Sequence, residues 1–235
     1  MQTDHVVGQI QEALHEIAED QNTLFIFTSD NGCSKAAGIA ELEKQGHKVS
    51  AELRGSKADL WEGGHRVPFI VKWPGKVLPG SLSDQIICHT DLFATVSEIL
   101  GSPLPEKGAE DSVSFLPALL GKKIQSSRKG IVHHSISGHF AYRYGKWKLL
   151  LARASGGWTF PRENEAPINF PEAQLYDMSS DSGELTNLYR KEPLVVKNLL
   201  SHLENDINRG RSTRGRKAEN DVSEIVLWKS ERKIK

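Results

Sequence analysis

Cysteine is nearly absent: Cys33 and Cys88 are the only two in 235 residues. That excludes a disulfide framework and leaves either one bridge or, as the pair reads, two free thiols packed as small hydrophobes. An excess of charge of either sign is also missing, because Lys+Arg and Asp+Glu stand at 30 each. No global field therefore points to nucleic acid or to an acidic partner. No apolar run approaches the roughly 18–20 residues of a membrane span, and the mean hydropathy is −0.43. The segment Met1–His5 has neither a basic stretch nor an apolar stretch, so no signal peptide is visible. No internal repeat appears. What is present, 38% hydrophobic and 26% charged residues, suits a soluble globular protein of one large domain or one and a half.

Periodicity divides the chain. Val6, Val7, Ile10, Ala13, Leu14 and Ile17 recur at helical spacing and predict an amphipathic helix over 4–19. The run Thr23 to Thr28 is apolar without alternation, the pattern of a central strand covered on both faces. A helix is expected over 36–45 with Gly46 closing it, then a strand over 69–73 ended by Pro74-Gly75. Ile86-Ile87-Cys88 reads as extended, and Thr90 or Asp91 caps a helix to Leu100 with Gly101 just beyond. Residues 115–120 add one or two turns. Composition shifts at 121–128, a plausible subdomain boundary. Strand-like pieces follow at 130–135, 140–144 and 147–151, with Tyr144-Gly145-Lys146-Trp147 as a hairpin turn. Residues 152–173 read as loop and 175–177 as a short strand. Pro193 opens a helix presenting Leu194, Val196, Leu199, Leu200, Leu203 and Ile207. The basic stretch 209–217 reads as a solvated, mobile tail.

Two short patterns carry chemistry. Asp30 and Asn31 offer a carboxylate and an amide oxygen, donors that suit Ca²⁺ or Mg²⁺, at the end of an apolar strand where open α/β sheets place ligands. An Asx turn ending a strand would use the same residues. Lys57 sits among small residues in Arg54-Gly55-Ser56-Lys57-Ala58-Asp59, where an ammonium can meet an anion; a solvated loop lysine is the bland alternative. Gly63-Gly64 and Pro68 read as turn and strand start. His65 reads as a residue that packs or supports the site from behind, and His133 and His134 have no metal-type partner nearby in sequence.

Taken together, Ser29-Asp30-Asn31-Gly32 followed by Arg54-Gly55-Ser56-Lys57-Ala58-Asp59-Leu60-Trp61-Glu62-Gly63-Gly64-His65-Arg66-Val67-Pro68 closely resembles the sulfatases, of the arylsulfatase type within the alkaline-phosphatase-like superfamily. Cys88-His89-Thr90-Asp91-Leu92, Gly145-Lys146-Trp147-Lys148-Leu149, Leu175-Tyr176-Asp177 and Gly210-Arg211-Ser212-Thr213 extend the resemblance from about residue 4 to 229. It implies that Asp30 and Asn31 are metal ligands to Ca²⁺, with Mg²⁺ as the alternative. It implies that Lys57 is catalytic, contacting the sulfate and the leaving-group side, and that His47 lines the substrate pocket. The family's remaining metal ligands are two earlier aspartates. Its nucleophile is a formylglycine made from Cys/Ser-x-Pro/Ala-x-Arg, whose hydrated form attacks sulfur.

The chain departs from the family in one respect. Neither Cys33-Ser34-Lys35-Ala36-Ala37 nor Cys88-His89-Thr90-Asp91-Leu92 fits the nucleophile pattern, and no serine does. The resemblance is therefore to a sulfatase's C-terminal half. The expected fold is α/β: part of an alkaline-phosphatase-like mixed or parallel sheet flanked by helices. A small C-terminal α+β subdomain with an antiparallel sheet and a packed helix completes it. Residues 1–125 would belong to the catalytic domain and 126–235 to the subdomain and basic tail. The expected activity of the parent is hydrolysis of sulfate esters of a small molecule or saccharide, with no nucleic acid and no membrane span. The alternatives are an inactive or glycan-binding fragment, or a phosphoesterase of the same superfamily. Location in the periplasm or outside the cell follows from family analogy alone.

Overall fold

The computed structural model describes residues 2–105 and 107–229. Among the described residues six α-helices and six strands form in the order α1 (Gln2–Glu16), β1 (Phe25–Thr28), α2 (Ile39–Lys44), α3 (Glu62–His65), β2 (Phe69–Lys72), α4 (Asp91–Ile99), α5 (Leu116–Leu119), β3 (Ile131–His134), β4 (Phe140–Tyr144), β5 (Trp147–Leu150), β6 (Gln174–Asp177) and α6 (Pro193–Arg209). Nearly every expected element is present within a few residues. Ile86–Cys88 form no strand, and the predicted helix over 36–45 is split. A 3-10 turn at Lys35–Ala37 precedes α2, because Gly38 between them is left-handed at φ 73°.

The first sheet has two strands. β1 pairs antiparallel with β2, Phe25 opposite Lys72 and Thr28 opposite Phe69. The apolar run over 23–28 predicts cover on both faces, yet β1 is only half-buried, and no parallel neighbour lies beside it among the described residues. α1 also differs from its pattern. Val7, Gln11 and Leu14 are its half-buried positions, while Val6, Ile10 and Ile17 are 49%, 46% and 67% exposed.

The second sheet is an antiparallel meander, β3-β4-β5-β6, buried on both faces. Period-2 alternation assigns its side chains. Phe140, Tyr142, Leu149 and Leu175 pack against Leu199 and Leu203 of α6. Ala141, Leu150 and Tyr176 point the other way, onto Leu60 and Trp61 from the loop before α3. The loop that carries the sequence motif is thus part of the second sheet's core. Pro193 opens α6 and Gly210, at φ 62°, closes it with its N–H bonded to the Ile207 carbonyl.

Candidate active site

Two segments far apart in sequence are bonded main chain to main chain at the end of β1. Gly32 N–H donates to the Gly64 carbonyl at 3.0 Å, and Lys57 N–H donates to the Cys33 carbonyl at 2.9 Å. The glycines make this approach possible. A Cβ on Gly32 would stand 1.8 Å from the Gly63 carbonyl oxygen, and one on Gly63 would stand 2.3 Å from the Gly55 oxygen. Gly63-Gly64, which read as a turn before a strand, are instead a contact plate within α3 that holds the Asp30-Asn31-Gly32 turn against the Lys57 loop.

Asp59 fixes the Lys57 loop from inside. It is buried, and its Oδ2 accepts from Ser56 N–H at 2.8 Å. Its Oδ1 accepts from the N–H groups of Trp158 and Thr159 at 2.8 and 3.0 Å. Lys57 itself is half-buried, and its ammonium has no hydrogen bond or ion pair among the described residues. The same holds for the exposed Asp30 carboxylate and the Asn31 Oδ1, since the Asn31 amide spends only its NH₂, on the Gly32 carbonyl. His47 is exposed, with an imidazole that bonds nothing described.

A cleft of about 250 Å³ opens beside the turn, lined by Asn31, Cys33, Val49, Ser50, Arg66 and Pro68 among others. Of the expected site residues only Asn31 lines it; Asp30, Lys57 and His47 do not. Arg66 was not singled out by the sequence. Its side chain is 58% exposed and reaches only Glu62 Oε2, at 3.4 Å, so most of its donors are unspent. Both cysteines are free, as read from their number.

Two carboxylate oxygens and an amide oxygen are the right donors for a hard cation. Ca²⁺ takes about six to eight oxygens, so Asp30 and Asn31 fit as part of a shell. Among the described residues no three His, Cys, Asp or Glu side chains gather at a metal-sized site.

Behind α3 lies a buried charged network that sequence reading missed. Lys148 of β5 is fully buried, with Nζ 2.8 Å from Glu62 Oε1 and 2.8 Å from Glu184 Oε1, the latter an ion-pair contact rather than an aligned hydrogen bond. Glu184 Oε2 accepts from Glu62 N–H at 2.6 Å, and the Glu184 carbonyl accepts from Arg54 at 2.9 Å. Arg54 also lies 3.6 Å over the Trp61 ring. Burial pushes the Glu62 carboxyl up, but Lys148, Arg66 and Arg143 outweigh that and hold it below its ordinary value. Burial raises Glu184 with only partial offset from Lys148.

His65 stacks on His133 with ring centroids 3.8 Å apart, and its Nε2 lies 2.9 Å from the Leu60 carbonyl. Burial, with Lys148 close by, depresses His65 well below the ordinary imidazole value; burial does the same to His133, helped by His65. Both rings are neutral, and His65 Nε2 lies 3.1 Å from Lys148 Nζ, so His65 both packs and supports the network. The only sequence trace of this network is a lysine inside the apolar run Trp147-Lys148-Leu149-Leu150.

The sulfatase family profile matches residues 1–102, and the profile described as N-sulphoglucosamine sulphohydrolase, C-terminal, matches residues 56–213. The chain belongs to the sulfatase family. It is 35% identical over 207 residues to an N-acetylgalactosamine-6-O-sulfatase of Bacteroides thetaiotaomicron, covering 87% of this chain and 40% of the relative. Human arylsulfatase A is 31% identical over 199 residues, with 80% and 38% covered. A solved Bacteroides thetaiotaomicron sulfatase structure, reported with the metabolism of glycosaminoglycans, superposes with a TM-score of 0.74 at 34% identity, over 87% of this chain and 42% of that one. The α/β architecture is therefore the sulfatase one, and the chain spans about two-fifths of the length of these relatives.

Proposed function

We propose that this chain supplies the cation and anion side of a sulfuric ester hydrolase whose substrate is a sulfated carbohydrate. The observation that carries the reading is the Lys57 ammonium, half-buried and unpaired, on a loop whose main chain is bonded to the turn bearing Asp30 and Asn31. In this reading Asp30 and Asn31 hold part of the shell of a Ca²⁺, or of a Mg²⁺. The bound ion would neutralise charge developing on the sulfuryl oxygens. Lys57 donates to the sulfuryl group and to the leaving oxygen. Its main-chain bond to Cys33 fixes where the side chain starts, so that less freedom is lost on binding. His47 contacts the sugar side of the substrate. The carbohydrate class rests on the similarity to a 6-O-sulfatase of N-acetylgalactosamine. No Cys or Ser here stands in the family's formylglycine pattern, so the nucleophile comes from sequence outside this chain, and this chain alone does not turn over.

The test is co-expression or fusion with a sulfatase N-terminal lobe that carries the formylglycine pattern, followed by assay on an aryl sulfate and on a 6-sulfated N-acetylgalactosamine. Turnover that disappears with Asp30→Ala or Lys57→Ala supports the reading. A folded, calcium-loaded product with no turnover overturns it. The missing nucleophile also supports a second reading, a fragment that binds sulfated saccharides without hydrolysing them. Calorimetry of this chain with a sulfated saccharide, showing no heat at millimolar ligand, removes that version.

A further inference from the structure

The basic stretch after α6 is a folded loop rather than the mobile tail its composition suggests. Ala218 N–H closes it onto the Arg209 carbonyl at 2.9 Å. Ser212 N–H donates to Asp111 Oδ1 at 2.8 Å, Thr213 Oγ1 donates to the Glu110 carbonyl at 2.6 Å, and Arg214 N–H reaches Ser127 Oγ at 3.3 Å. The centre of the loop is a guanidinium. Arg211 donates to the Arg216 carbonyl and to Thr213 Oγ1, both at 3.2 Å, and packs where a Cβ on Gly215 would collide with it. Arg209 likewise spends its donors on the carbonyls of Thr213 and Gly215.

These bonds order the loop and leave the side chains of Arg214 and Lys217 exposed. Among the described residues no carboxylate oxygen lies within 4.0 Å of the cationic nitrogens of Arg209, Arg211, Arg214 or Lys217. Arg211 Nε and Ser212 Oγ are buried without a partner, and Arg214 and Lys217 are exposed. Glu110 faces Arg211 and Asp206 faces Arg209, so the free positive charge of the loop is that of the exposed Arg214 and Lys217, in a chain with no net charge. The loop is also linked to the end of β1. It sits on Glu110 and Asp111, Ser112 Oγ donates to the Thr90 carbonyl at 2.6 Å, and His89 Nε2 lies 3.1 Å from Thr28 Oγ1.

We infer that this loop is a second anion-binding surface, one that holds an extended sulfated polysaccharide away from the reacting ester. The bonded main chain fixes where the Arg214 and Lys217 side chains start, and a polyanion binds them with release of its counterions, so affinity falls steeply with salt. The inference rests on the sulfated-carbohydrate reading for its choice of ligand.

The full chain is titrated with size-defined chondroitin 6-sulfate at increasing sodium chloride, beside unsulfated hyaluronan and single-stranded DNA. The side chains of Arg214 and Lys217 make no bond that the fold needs, so Arg214→Gln/Lys217→Gln folds normally. It is expected to bind chondroitin sulfate about tenfold more weakly at low salt, with a shallower salt dependence. Lys76→Gln, an exposed lysine outside both sites, is expected to keep the polymer affinity. Equal binding by the double variant, equal binding of hyaluronan, tighter binding of DNA, or an equal loss in Lys76→Gln overturns the inference. A reconstituted enzyme without turnover leaves this titration unaffected, so the two readings fail separately.

Discussion

Replacing Lys148 by methionine tests whether the buried network holds the motif loop onto the second sheet. The ammonium is fully buried and lies 2.8 Å from a carboxylate oxygen of Glu62 and 2.8 Å from one of Glu184. Methionine fills most of the volume, so packing changes little. What is lost is the one cation between two buried carboxylates, and removing one partner of a buried ion pair costs about 3–5 kcal/mol. The loss should depend on pH. Glu62, held below its ordinary value by Lys148, contributes stability that is present above its unfolded value of 4.5 and is lost as pH falls through the folded value. The penalty of Lys148→Met is therefore largest at neutral pH and shrinks below about pH 5, where the uncompensated carboxylates take up protons. Urea unfolding at pH 7.5 and pH 4.5 measures both. The triple variant Lys148→Met/Glu62→Gln/Glu184→Gln removes every charge and should recover at least about half the loss, because a neutral buried set no longer carries unpaired ions. A cost under about 1 kcal/mol for Lys148→Met, or a triple variant no more stable than the single one, refutes this account of the network.

Three further outcomes follow from named contacts. Gly32→Ala forces a Cβ to 1.8 Å from the Gly63 oxygen and should cost at least the roughly 3 kcal/mol upper range of overpacking. Gly8→Ala, in α1 with nothing within 4 Å of the new Cβ, should gain up to about 1 kcal/mol; denaturant midpoints compare the two. His65 and His133 are neutral in the fold and protonate in the unfolded chain below about 6.5, so folding stability is full above that pH and falls as pH drops through it. The slope each ring contributes approaches about 1.4 kcal/mol per pH unit only well below 6.5, and because His134 and His202 are also depressed, His133→Phe should remove less than half of the fall between pH 6.5 and 5.5. Finally, the exposed apolar residues of α1 and α4, Ile10 and Phe93 among them, should bind an apolar dye; a covalently attached or co-expressed N-terminal sulfatase lobe should reduce that binding.

Much of the fold was legible because periodicity reports the solvent side of each element. The strands Phe140–Tyr144, Trp147–Leu150 and Gln174–Asp177 were readable as strand-like pieces, the first two joined by a hairpin turn at Gly145, whose φ of 55° is the left-handed value glycine favours. Where the pattern misled, the reason is long-range. The apolar run over 23–28 asks for cover on both faces, and only the antiparallel partner β2 is present among the described residues. The basic stretch 209–217 has the composition of a solvated tail, but guanidinium-to-carbonyl bonds and the Glu110–Asp111 shelf order it, and neither can be seen in local sequence. Asp30, Asn31 and Lys57 were singled out by their motifs, and the structure bonds the main chains of their two segments together. Lys148, Glu62 and Glu184 were not, since a charge buried by partners 86 and 36 residues away in sequence looks like any surface charge. Arg66 stood in the motif without a role, which only the cleft beside Asn31 brings out.

The most direct measurement is turnover of an aryl sulfate by the chain reconstituted with a nucleophile-bearing N-terminal lobe, compared between wild type and Lys57→Ala at equal folding and calcium occupancy. Loss of an electrostatic contact to the reacting group predicts a fall in kcat of at least about 100-fold. An unchanged kcat in Lys57→Ala would contradict the assignment of this unpaired ammonium to the sulfuryl group.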